Sequence, residues 1–78
     1  MSLSEKYLPT LEARYNTVLT QIAEAQTIIF RLTLDKAEGE DTGNTEKVEE
    51  ADVNIGRLKK KIDLLEGIAS ELEKQLDK

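Results

Sequence analysis

Sixteen carboxylates are the most abundant reactive groups in this chain of 78 residues, and neither histidine nor cysteine accompanies them. Carboxylate pairs become catalytic in a pocket that drives their pKa values apart. In helical di-metal sites they occupy inward positions beside Glu-x-x-His motifs. Here the acids fall between the apolar residues rather than among them, which reads as a solvated surface. A serine would lack its usual histidine base, and thiolate metal sites are excluded. Glu38, Glu40 and Asp41, with Asn44 nearby, cluster oxygens in one short stretch. They lack the spacing of a helix-flanked calcium loop and its closing bidentate Glu. No glycine-rich phosphate loop, nucleophile elbow or zinc spacing occurs. The expectation is a protein that is not an enzyme and holds no cofactor and no metal.

Phosphate recognition is the other chemistry to weigh. Arg57, Lys59, Lys60 and Lys61 form the one basic cluster, with Lys74 and Lys78 further along. Together they form a candidate phosphate- or RNA-contacting face. Leu58 interrupts the run, the four cations spread around a helix, and no aromatic lies among them to stack on a base. The formal net charge of −5 also weighs against a general nucleic-acid or anionic-membrane binder. An ordinary charged helix surface is the favoured reading, with RNA binding as the alternative function.

These groups need elements to carry them, and the apolar residues supply a strong helical signal. With Leu8, Tyr15, Ile22 and Ile29 at heptad position a, Leu11, Val18, Ala25 and Leu32 fall at d. In the second half Val48, Ile55, Ile62, Ala69 and Leu76 occupy a, and Ala51, Leu58, Leu65 and Leu72 occupy d. Every seam position is apolar, a sustained 3.5-residue repeat of coiled-coil type. The spacing predicts a single domain over residues 1–78: helix 1 about 8–35, a loop at 36–44 and helix 2 about 45–77. Pro9 belongs in a first helical turn, which leaves residues 1–7 as a short arm or separate turn despite the capping pattern from Ser2 to Glu5. Met1-Ser2-Leu3 suits either a native start or a cloning remnant and carries no structural weight. Gly39 and Gly43, set among acids, mark an exposed connection that Asn44 or Thr45 ends by capping helix 2.

Such a connection favours antiparallel neighbours. A fold about residue 40 sets Leu8 against Leu72, Leu11 against Ala69 and Val18 against Ile62. It also sets Ala25 against Ile55 and Ile29 against Ala51, so that each seam alanine meets a large partner. Gly56 and Gly67 share one face outside the seam, as tolerated drift or as a place of close helix approach.

Helix 1 carries more apolar surface than one seam can bury. Tyr7, Leu19, Ile28, Phe30 and Leu34 lie off a and d, and Ile28 to Leu34 is the stickiest segment. Without disulfides or metals, a chain this short gains stability by self-association. The expected fold class is all-α, a two-helix antiparallel coiled-coil hairpin that dimerises into a four-helix bundle. A homodimer is the expected assembly. Leu19, Ile28, Phe30, Arg31 and Leu34 are the candidate interface, for a second copy or for a different protein. The expected function is that of a small structural or protein-interaction module, an adaptor, scaffold piece or regulatory subunit. The longest apolar run, Ile28-Ile29-Phe30, is far short of a membrane span, and the lack of cysteine fits the cytoplasm. The layout resembles that of several unrelated helical-hairpin proteins, among them a plasmid RNA-binding regulator that dimerises into a four-helix bundle. Such a likeness in architecture does not fix function.

Overall fold

The computed structural model describes the backbone of residues 3–77 and the side chains of residues 10–77. It is all-helical among the described residues: α1 (Leu3–Thr42) and α2 (Thr45–Leu76) pack side by side as a helical hairpin. The hairpin is a rod of 64 × 14 × 14 Å.

The apolar repeat sets which faces meet. Val18, Ala25, Ala51, Ile62, Leu65, Ala69 and Leu72 are buried, and all are seam positions. Val18, Leu65, Ala69 and Leu72 form one cluster, with Leu11, Tyr15 and Ile22 packed against it. No polar or charged side chain is buried among the described residues. Off the seam, among the described residues, Asp35 and Lys47 are half-buried and the others are exposed.

The expected loop at 36–44 is corrected to a two-residue connection, because α1 continues to Thr42. The heptad itself explains this, since the next a and d positions of helix 1 are Lys36 and Gly39. Lys36 is half-buried and Gly39 buried, so the seam runs two layers further than large apolar residues alone indicate. Lys36 lays its aliphatic stem on the seam and places Nζ 2.9 Å from Asp52 Oδ1. Gly39 lets the helices converge: a Cβ there would lie 3.0 Å from Val48 Cγ2 and 3.2 Å from the Asn44 carbonyl oxygen.

The reversal takes two residues. Gly43 adopts φ 72°, the left-handed conformation that only glycine enters cheaply. The Asn44 N–H donates to the Gly39 carbonyl at 2.8 Å and the Gly43 N–H to Glu40 at 3.4 Å, the paired bonds of a Schellman ending. Asn44 then caps α2, its side chain accepting from the Lys47 N–H at 3.2 Å. Glu46 in the first turn complements the α2 dipole. The acids Glu38, Glu40 and Asp41 oppose the dipole of α1, whose last turn holds no base. Lys47 relieves part of this, with Nζ 3.3 Å from Glu38 Oε2.

Moving the turn also moves the register. The Tyr15 hydroxyl donates to Glu73 Oε1 at 2.6 Å, Lys36 meets Asp52, and Gly39 abuts Val48. These contacts shift the pairing one heptad from a fold about residue 40. Val18 therefore lies by Ala69 rather than Ile62, and Ala25 by Ile62 rather than Ile55. The large-against-small alternation survives the shift, with Gly39 against Val48 as its extreme case. The start of helix 1 is corrected too. Its backbone is helical from Leu3, so Pro9 stands inside the helix and not in its first turn, and residues 3–7 are neither an arm nor a separate turn. The capping pattern at Ser2, like the side chains of Tyr7 and Leu8, lies outside the described residues.

Candidate functional site: the outer face of helix 1

A helix that gives a and d to its neighbour leaves b, c, e, f and g to solvent. In α1 these positions are sharply divided. Columns b and f carry Ala13, Asn16, Thr20, Ala23, Thr27, Phe30, Leu34 and Ala37; column e adds Leu19, Gln26 and Thr33. No charge interrupts this strip from Ala13 to Ala37. Of the charges of that stretch, Arg14, Glu24, Arg31 and Asp35 fall on columns c and g, and Lys36 lies in the seam at a. Spanning 24 residue steps at 1.5 Å each, the strip is about 36 Å long.

The threonines make the strip less polar than its composition indicates. Thr20 Oγ1 donates to the Asn16 carbonyl at 2.9 Å, Thr27 to Ala23 at 3.0 Å and Thr33 to Ile29 at 2.8 Å. With each hydroxyl proton engaged by its own helix, these side chains offer an approaching surface a methyl group and one acceptor. Asn16 and Gln26 are the strip's remaining side-chain donors.

The five residues expected at an interface are all exposed. Phe30 is 67% and Leu34 56% exposed, which leaves most of each side chain outside the hairpin. Leu19, Phe30 and Leu34 share the charge-free strip. Ile28 and Arg31 lie beyond it, on columns g and c. A shallow groove of about 510 Å³ joins the two sides, lined by Thr20, Ala23, Glu24, Thr27 and Ile28.

The four cations Arg57, Lys59, Lys60 and Lys61 are also exposed, and none is in an ion pair among the described residues. They occupy columns c, e, f and g, so they wrap the outside of α2 rather than line one edge. Gly56 and Gly67 have open space where a Cβ would stand. Gly67 borders a groove of about 500 Å³ that also involves Arg14, Leu64 and Ile68.

Among the described residues, two acid–base groups are displaced from their ordinary values. The hydrogen bond to Glu73 raises the Tyr15 pKa above 10.0, and the hydrogen bond to Asp52 raises that of Lys36 above 10.5. Both shifts favour the form already present at neutral pH, opposite to what a base or nucleophile needs. No three Asp or Glu residues gather to hold a cation among the described residues. No described helix is long and apolar enough to cross a membrane.

Sequence reasoning missed three exposed apolar residues on α2: Val53, Leu64 and Ile68. Leu64 and Ile68 are four residues apart and adjacent on the helix, a spacing visible in the sequence but hidden among charges. It also missed the full extent of the charge-free strip, whose signal was the confinement of charge outside the seam to two heptad columns. No family model, curated protein or solved structure matches the chain.

Proposed function

We propose that the protein is a small helix-association module, an adaptor, scaffold piece or regulatory subunit, that docks through the outer face of α1. The observation that carries this reading is the charge-free strip from Ala13 to Ala37, with Phe30 and Leu34 standing out from it. A solvated helix face ordinarily mixes charges of both signs, as α2 does; an uncharged face with large apolar residues marks a surface meant to be covered. Self-association is the first use of that face: a homodimer that packs two hairpins into a four-helix bundle, with α1 of each copy towards the centre. Arg31 borders the strip as an anchoring side chain of a type enriched at interfaces. The module works without catalysis and without a cofactor. A cytoplasmic setting suits a cysteine-free chain.

Replacing Phe30 and Leu34 together with glutamate tests the reading. Both side chains lie mostly outside the hairpin, so helicity stays close to that of the parent while assembly or partner binding is lost. An assembly that survives both changes refutes it.

The four exposed cations, unpaired among the described residues, favour a second reading, an RNA-binding dimer that contacts phosphates through Arg57, Lys59, Lys60 and Lys61. It predicts binding to structured RNA that weakens steeply with salt and on neutralising these residues. Absence of binding at low salt ends it.

A further inference from the structure

The docking face has a direction. Along columns b and f its side chains grow from Ala13, Asn16 and Thr20 at one end to Phe30 and Leu34 towards the other. A parallel second copy would stack Phe30 on Phe30 and Leu34 on Leu34, leaving the opposite half thin. An antiparallel copy evens the volumes, and the seam geometry, with f opposite b, specifies how. With Phe30 of the second copy over Thr20, its Leu34 lies over Asn16 and its Ala23 over Thr27. The twofold axis then passes at the level of Ala25. A shallow groove of about 380 Å³ along Asn16, Thr17, Thr20, Gln21 and Glu24 lies where the second copy's Phe30 falls.

Charge gives independent support. Column c flanks the strip and carries Glu24 and Arg31, both exposed and neither in an ion pair among the described residues. The antiparallel arrangement brings Glu24 of each copy beside Arg31 of the other, and the symmetry forms this pair twice. A parallel arrangement sets Glu24 beside Leu19 and Arg31 beside Gln26, and pairs no charges.

We propose that the outer face of α1 receives the same face of a second copy, antiparallel, with Glu24 paired to Arg31 across a twofold axis at the level of Ala25. This rests on the reading of that face as a docking surface. Specificity then comes from the charge pair, which rejects other registers, while the apolar strip supplies the burial.

Two experiments on the full chain test it. Glu24→Arg and Arg31→Glu singly each raise the dimer dissociation constant about tenfold, and the double swap returns it to within about twofold of the parent. Singles without effect, or a double swap that fails to restore association, overturn the pairing. Spin labels on Arg14→Cys and Gln21→Cys report direction, since both sites lie on column g, off the strip's own columns, with Gln21 at the rim of the groove that receives Phe30, and the chain has no cysteine of its own. Across the antiparallel dimer the axial separation is about 12 Å at Gln21 and about 33 Å at Arg14. A clearly longer distance at Arg14 is expected; equal distances at both sites mean a parallel dimer and overturn the arrangement alone. A dimer that persists in the Phe30 and Leu34 double variant overturns the docking surface itself. A monomer at every concentration overturns self-association and this inference together.

Discussion

Three of the four glycines lie within helices, and they make an internally controlled experiment on the turn. Alanine in place of any helical glycine gains about 0.5–1 kcal/mol of intrinsic helix preference. At Gly56 and Gly67 nothing opposes that gain, since a Cβ meets no atom within 4 Å. At Gly39 it meets Val48 Cγ2 at 3.0 Å, the Asn44 carbonyl oxygen at 3.2 Å and Lys47 Cβ at 3.4 Å. Val48 is β-branched and stiff in a helix. The Asn44 oxygen accepts the Val48 N–H at 3.2 Å, so moving it disturbs the first bond of α2. Overpacking of this kind costs about 1–3 kcal/mol, which exceeds the propensity gain. Gly39→Ala is therefore expected to destabilise by about 1 kcal/mol net, and Gly56→Ala and Gly67→Ala to stabilise by somewhat less. In a domain of this size such changes move the melting temperature by about 4–8 °C per kcal/mol, in opposite directions. Urea and thermal melts followed by far-UV circular dichroism, at one fixed protein concentration, read the sign directly. A Gly39→Ala variant as stable as Gly56→Ala would refute the close approach of α1 to α2 at the turn.

Further outcomes follow from the turn and the seam. Asn44→Ala removes the side chain that caps α2 and is expected to cost about 1 kcal/mol in the same melts. Gly43→Ala places a Cβ at φ 72° and costs about 1–2 kcal/mol. Stability is expected to fall at alkaline pH. Tyr15 and Lys36 both titrate above their unfolded values of 10.0 and 10.5, so their contribution is complete below those values and lost as pH rises through the folded ones. Urea midpoints measured across that range should decline, and the decline should flatten in Tyr15→Phe and Lys36→Met. An unchanged slope in both variants would contradict the assignment.

The seam was legible because burial follows a strict repeat. Each a and d residue named from the sequence whose side chain is described, from Leu11 to Leu32 and from Val48 to Leu76, is buried or half-buried. The turn was less so, because glycine and clustered acids signal a loop by composition, whereas Gly39 serves as a small residue in a packed layer. That role shows only against Val48, across the hairpin. Register depends on where the turn sits, so one misplaced turn shifted all the pairs together. Pro9 marks a helix start by local rules, yet the backbone is helical from Leu3. On the outer face, Phe30 and Leu34 stood out by size alone. Ala13, Ala23, Ala37 and the back-bonded threonines did not, since each is unremarkable singly and forms a surface only together.

The measurement closest to the central claim is the solution mass of the unmodified chain, by light scattering on a sizing column over a range of concentrations. Coverage of the outer face of α1 by a second copy predicts twice the 8.8 kDa of one chain, with dissociation on dilution. A mass of one chain at every concentration would contradict it, and would mean that Phe30 and Leu34 stand open to water in the free protein.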